Sequence, residues 1–356
     1  MALANHPSAA APGGAAAGPP APPGTAGAPT APGGLRGVLA SPWLVFAMRR
    51  LGGVALVLTV LVTLTFAIVQ LMPGDPARVA AGNNATPEQL TQMRHDLGLD
   101  KSVAAQFGDY VAGLFRGDLG HSFQTEEKVS DIITDRLPYT AELALLGVAV
   151  VLVVGVPLGM AIAVACRDGR RRRLDGGFTL ATGLVGSTPE YVLGTLLVLV
   201  IGIQLEWLPV AGAATPSALV LPVVAISLGP VCTIARIVRR ETSVVLAQDY
   251  LRTARGRRLP ARRLYLRHAL PNLLTSTLTL AGLLLAGLLG GTVVIESVFA
   301  WPGLGTRVVE AITLRDLPVI QGVVLVLGVL ACLLNLLIDI VLGLLDPRTL
   351  SGKAAS

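Results

Sequence analysis

Charge is what this sequence has least of. Asp, Glu, Lys and Arg together make up 14% of its 356 residues, against about a quarter in an ordinary soluble domain. That shortage argues against a soluble globular fold. Nucleotide chemistry is missing as well. No Gly-x-x-x-x-Gly-Lys-Ser/Thr loop occurs, so ATP is not bound by that route. Neither His-Glu-x-x-His nor Gly-x-Ser-x-Gly is present, which removes the simplest forms of an intramembrane protease or esterase. The three cysteines, Cys166, Cys232 and Cys332, lie in or beside apolar runs and none falls in the long polar loop. A structural disulfide is not expected from that placement, nor is a metal site or any cofactor.

What fills the chain is apolar. Hydrophobic residues account for 53% and the mean hydropathy is +0.68. A helix needs roughly 20 apolar residues to cross a hydrocarbon core about 30 Å thick. Six segments reach that length: Leu51–Leu71, Leu143–Ala165, Phe178–Ile203, Leu219–Ile237, Leu273–Val294 and Val319–Leu345. Backbone groups in lipid must find partners within the segment, so each run is read as a helix. The expected class is all-α, a polytopic membrane protein with six transmembrane helices.

Basic residues near span ends favour the cytoplasm. Arg36, Arg49 and Arg50 precede the first run, and Arg167 and Arg170–Arg173 fill the loop between the second and third. Arg236, Arg239, Arg240 and a further arginine cluster separate the fourth and fifth, and Arg348 and Lys353 follow the sixth. With six spans these clusters share one side, so both termini are expected in the cytoplasm. The opposite loop, Pro73–Pro138, leans acidic. The net charge of +6 then reflects loops beside anionic lipid, and no nucleic-acid partner is expected.

The division that follows is residues 1–35 as a disordered Ala/Pro/Gly-rich tail, 49–72 as the first span and 73–137 as an external loop. Residues 138–346 form a five-helix core containing a cytoplasmic loop, 241–271, and 347–356 form a second tail. Residues 1–34 lack the basic region followed by an apolar core that marks a removable signal. Leu51–Leu71 is too long for a signal core and has no small-residue cleavage site close behind it, so it is expected to be retained. The external loop is longer than the roughly 12–15 residues an unstructured connection reaches. Thr86-Pro87-Glu88-Gln89 reads as a helix start, with Leu90, Met93 and Leu97 following and a stop near Gly98. A second helix is expected over Val103–Phe115. A small helical cap results.

The most informative stretch is Asp249–Asn272, strongly basic and flanked by two spans. From Val244, apolar positions run Leu246, Tyr250 and Thr253–Ala254, one face of a helix, while Arg252, Arg255 and Arg258 stand elsewhere. Pro260 is expected to end that helix. Charge and periodicity alone also fit an amphipathic helix resting on the membrane surface. Order and spacing add more. Asp249-Tyr250, Arg252-Thr253-Ala254-Arg255, Leu259 and Arg267-His268-Ala269-Leu270 before Asn272 resemble the "EAA loop" of ABC importer permeases, in the version of the dipeptide, oligopeptide and nickel importers. Where that family usually has glycine this chain has Arg258, with Gly256 nearby. His268 reads as a helix cap or phosphate contact.

The resemblance extends to Pro73-Gly74-Asp75-Pro76, Leu97-Gly98-Leu99 and Arg116-Gly117-Asp118-Leu119-Gly120. It continues through Glu296–Gly305, Arg315-Asp316-Leu317-Pro318 and Asp346-Pro347-Arg348. It implies a type I ABC importer permease fold and a B-type permease subunit that is not itself an enzyme. The implied partners are a homologous second permease, two ABC ATPase subunits, an external solute-binding protein and membrane lipid. By the same resemblance Asp249, Tyr250, Arg252, Thr253, Ala254, Arg255, Gly256 and Leu259 dock on the ATPase. Glu296, Trp301, Pro302 and Gly303 form an external turn near the pathway mouth, with Trp301 suited to the interface. The solute stays open among dipeptides, longer peptides, nickel complexes and glutathione. A secondary transporter working without an ATPase and a pore-free scaffold are the competing classes. Gly155-xxx-Gly159 and Gly287-xxx-Gly291 fit packing against a second subunit or within one bundle.

Overall fold

The computed structural model describes residues 42–71, 74–82, 84–169, 171–249 and 290–345, with single positions at 256, 260, 264, 265, 270, 287 and 288. Among these residues there is no β-strand; one isolated bridge pairs His121 with Lys128.

Helix α1, Pro42–Leu71, is apolar on every face beyond Arg50, and from Met48 to Leu71 almost none of it is buried against the rest of the chain. Leu51, Leu56, Val60 and Leu64 face outward, as expected of a span bathed in lipid. It is held at two places. Leu61 fills the space left open by Gly328 of the last helix, and Gln321 donates to the Thr65 carbonyl at 3.2 Å. Near the end of α1, Phe66 meets Phe107 edge-on at 5.2 Å and the Thr65 hydroxyl lies 3.2 Å from the Tyr110 hydroxyl.

The cap consists of α2 (Pro76–Ala81), α3 (Pro87–Asp96) and α4 (Val103–Phe115). Each start is capped by a side chain, which satisfies amides that a helix end leaves orphaned. Asp75 accepts from Ala77 N, and Ser102 from Ala105 N. Thr86 and Gln89 form a reciprocal capping box. The Asp75 carboxylate also pairs with Arg94 at 2.5 Å, tying α2 to α3. Gly98 (φ +66) ends the α3 turn in a conformation that suits glycine.

Helix α5, Val129–Val150, passes through a π-helical turn, Val151–Gly155, into α6, Val156–Ala165. The continuous rod begins well before Leu143, where the apolar run starts. Pro138 lies inside it on an exposed face, so the carbonyl its missing N–H leaves free is close to the surface. The π turn precedes Pro157, whose ring would otherwise press on the carbonyl four residues back; a wider turn relieves that contact.

Helices α7, Arg172–Ser187, and α8, Glu190–Leu197, with the π-helical Val198–Gln204 beyond it, occupy the third predicted span. They are not one rod. They meet at 96°, which corrects the expectation of a straight helix over Phe178–Ile203. Thr188 precedes Pro189 and is extended (φ −81, ψ 128), the region to which a residue before proline is confined.

Helix α9, Val220–Ala247, is the most deeply buried span. Its packing against α5–α6 explains the glycine pattern. A Cβ on Gly159 would stand 2.5 Å from the Ala235 carbonyl, and one on Gly155 3.1 Å from Ile234. Gly155 and Gly159 therefore serve packing within this chain. The chain ends in α10, Leu304–Leu314, and α11, Leu317–Leu345. Among the described residues four helices are long and apolar enough to span, and the bent pair makes up to five. Most of the predicted span Leu273–Val294 lies outside the described residues.

Gly159→Leu is expected to destabilise the detergent-solubilised protein by about 1–3 kcal/mol through overpacking, read as a lower melting temperature. Gly176→Ala, where a Cβ meets nothing within 4 Å, is expected to be neutral or slightly stabilising.

Candidate functional site

Two regions carry the residues singled out above, one at each end of the bundle. At the cap end, helical residues 290–298 stop at Phe299 and Ala300, the latter left-handed at φ +45. Trp301 N donates to the Glu296 carbonyl at 2.8 Å and closes the turn. The chain then reverses, and α10 starts with its free amides directed at the Glu296 side chain. One carboxylate oxygen, Oε2, accepts from Gly305 N at 2.6 Å and Thr306 N at 3.2 Å. The other, Oε1, accepts from the Thr140 hydroxyl at 2.7 Å, and that hydroxyl accepts from Leu304 N at 2.8 Å.

All three first-turn amides of α10 are thus satisfied by two buried side chains from other helices. Glu296 and Thr140 are both fully buried. A carboxylate at a helix N-terminus is favoured by the orphan N–H groups and the helix dipole, which offsets its desolvation. Gly303 is required by the close approach, since a Cβ there would collide with the Glu296 carboxyl. Trp301 does not lie at the interface. It is 3% exposed, donates from Nε1 to the Tyr139 carbonyl at 3.2 Å and packs edge-on to the Tyr139 ring. A Trp with a partner for its N–H is comfortable in a core. Pro302 is half-buried.

A second buried carboxylate joins the cap loop to the turn between α10 and α11. Asp316, 1% exposed, accepts from the Ser122 hydroxyl at 2.5 Å and Phe123 N at 3.0 Å. The Arg307 guanidinium stands 3.9 Å away. Ser122 in turn accepts from Gln124 N and Thr125 N. Nothing near Asp316 in the sequence signals this partnership, because Ser122 is distant in the chain.

At the opposite end, α7 and α9 are tied by an Asp175–Arg239 ion pair. Leu246 near the end of α9 is buried with Leu264, and Val164 and Tyr265 pack around them. Leu270 and Tyr265 also rest on the α6–α9 core of Val151, Met160 and Ile234. The segment after α9 is therefore anchored to the bundle by its apolar residues. A shallow groove lined by Ser243, Val244, Ala247, Gln248 and Asp249 opens beside it. Of the docking residues read from the sequence, Gly256 is exposed and Asp249 follows α9. Tyr250, Arg252, Thr253, Ala254, Arg255 and Leu259 lie outside the described residues.

A bundle of apolar helices of spanning length, braced at one end by buried carboxylates, defines an integral membrane protein. The family model of the binding-protein-dependent transport system inner membrane component matches residues 155–351, and that for the N-terminal part of this component matches 43–144. The chain belongs to that family. It is 39% identical over 310 residues to a Brucella abortus (strain 2308) permease protein whose name places it in a peptide transport system, covering 85% of this chain and 97% of the relative. The dipeptide transport system permease protein DppB of Lactococcus lactis subsp. cremoris is 36% identical, covering 85% and 98%. The glutathione transport system permease protein GsiC of Pectobacterium atrosepticum is 37% identical, covering 85% and 97%.

Among solved structures, the MetNI methionine ABC transporter in an inward-facing conformation aligns with a TM-score of 0.53 at 17% identity, covering 60% of this chain and 96% of that one. That likeness bears on the fold. The chain is a permease subunit of an ABC importer, a multi-pass inner-membrane protein whose ATPase is a separate subunit.

The Glu296 arrangement makes a graded prediction. Thr140→Val is expected to cost about 1–3 kcal/mol, and Glu296→Ala about 3 kcal/mol or more, because several buried amides lose their acceptor. Glu296→Gln, which keeps one acceptor oxygen, falls between. Thermal unfolding in detergent checks the order, and a wild-type melting curve for Glu296→Ala would contradict it.

Proposed function

We propose that this chain forms one half of the pathway of a peptide importer, the other half being a homologous permease. Likeness to a peptide-system permease over nearly the whole of that relative's length carries the reading. Glutathione is itself a small peptide, and relatives named for its transport keep it within the same solute class. In this arrangement the cap faces outward, where a solute-binding protein delivers its load. Both termini lie in the cytoplasm.

Orientation is supported by charge. Arg171, Arg172, Arg173, Arg239 and Arg240 gather at the end where Asp175 pairs with Arg239, and basic clusters favour the cytoplasm. Two ATPase subunits serve the pair of permeases, and the segment beyond α9 docks on one of them through Asp249, Tyr250, Arg252, Thr253, Ala254, Arg255, Gly256 and Leu259. Closure of the ATPases moves it, and Leu264 against Leu246 passes the motion into α9. ATP drives the cycle only to the extent that the ATPase states bind the two permease conformations with different affinity. The turn at Glu296, Trp301, Pro302 and Gly303 braces the mouth.

Uptake of labelled di- and oligopeptides by cells deleted for this chain tests the proposal. Wild type is expected to restore uptake, and a Tyr250→Ala, Ala254→Glu double variant is expected to fail while still reaching the membrane. Unchanged peptide uptake in the deletion would overturn the solute assignment. Full rescue by the double variant would overturn the docking residues.

A further inference from the structure

The elbow between α7 and α8 lies inside a bent pair of helices that together are long and apolar enough to enter a membrane, and it leaves backbone uncovered. Pro189 has no N–H to give. Thr188 turns its own N–H to Val185 O and its hydroxyl to Leu184 O. Among the described residues the carbonyls of Gly186 and Ser187 accept no hydrogen bond, yet Gly186, Ser187 and Pro189 are exposed. Bare carbonyls do not face hydrocarbon; non-helical backbone at membrane depth is tolerated where it is covered by protein or lines a water-filled cavity.

Two ionisable side chains flank this elbow, and charges within spans are rare and mark solute or ion pathways. Glu190 opens α8 and rests on Gly291, where a Cβ would stand 2.6 Å from its Oε1; the missing side chain gives the carboxylate its place. Arg236 reaches across from α9 to Gly186, where a Cβ would stand 3.3 Å from Nη2. Both are half-buried, and neither makes an ion pair or hydrogen bond among the described residues. A negative and a positive group therefore stand on either side of a polar break, each without a hydrogen-bonding or ionic partner among the described residues.

We infer that the elbow is a water-lined station of the solute pathway, with Glu190 contacting the ammonium end and Arg236 the carboxylate end of a zwitterionic solute. The solute class rests on the peptide reading above; the water-lined elbow does not. Opposite charges at two points of a pathway recognise a molecule carrying both charges at its ends, which is the chemistry common to free peptides whatever their side chains.

The test uses the complete transporter in proteoliposomes, with Cys166, Cys232 and Cys332 replaced by serine. Ser187→Cys is expected to react readily with a charged, membrane-impermeant thiol reagent, and Leu56→Cys on α1 is not. No reaction of Ser187→Cys in either the ATP-bound or the nucleotide-free state would overturn the elbow. In uptake, Glu190→Gln is expected to raise KM about tenfold for a dipeptide with a free amine and leave its N-acetyl derivative unchanged. Arg236→Gln is expected to do the same for the free carboxylate against the C-terminal amide, with ATP hydrolysis retained in both variants. Equal losses for all derivatives, or lost ATP hydrolysis, would mean a structural role and overturn the contacts. If the wild type carries no dipeptide, the peptide reading fails and the solute class with it, while thiol labelling still decides the elbow.

Discussion

The Glu296 carboxylate holds the cap end of this bundle together. It is fully buried, and it is stable there because the start of α10 and the Thr140 hydroxyl provide it with three hydrogen bonds. Those bonds join the helix over 290–298, the long α5 and the re-entering α10 at one point. Ile132, Leu304, Val308 and Val323 pack on one side of this tie, and Leu143, Ile226, Ile295 and Phe299 on the other. Neither apolar cluster has directional preference of its own; the carboxylate fixes how the helices meet. A buried polar network of this kind is costly unless every member is satisfied, and here each is.

The opposite end is built differently. Among the described residues its contacts include a half-exposed ion pair, the small Leu246–Leu264 cluster and the seating of Tyr265 and Leu270 on the core. The contrast suits a device worked from one end. Between the two ends lies α9, closely apposed to α5–α6 through Gly155 and Gly159.

Much of this was legible in the sequence. Apolar runs of spanning length gave the all-α class, and Thr86-Pro87 marked the start of α3 because capping chemistry is local. The Val103–Phe115 periodicity marked α4 for the same reason. What the sequence concealed was non-local. Glu296 read as a residue near a span end, since nothing in its neighbourhood shows that Thr140 would meet it. Trp301 suited an interface until Tyr139 was seen to accept its N–H. The bend at Pro189 was visible as a residue type, but the spanning length of the mostly apolar run from Phe178 to Ile203 outweighed it. Gly155 and Gly159 fitted two kinds of packing, and only the position of Ala235 decides between them. The family resemblance reached further than periodicity could, because it rests on order and spacing across the whole chain.

The central claim is that energy enters this membrane subunit from a separate ATPase through the segment following α9. Disulfide cross-linking of an Ala254→Cys variant to single cysteines placed around the ATPase surface, in the assembled transporter, tests it most directly. The account predicts a cross-link confined to one groove, which blocks solute-stimulated ATP hydrolysis until it is reduced. Failure of Ala254→Cys to cross-link anywhere on the ATPase, in a complex that still transports, would contradict it.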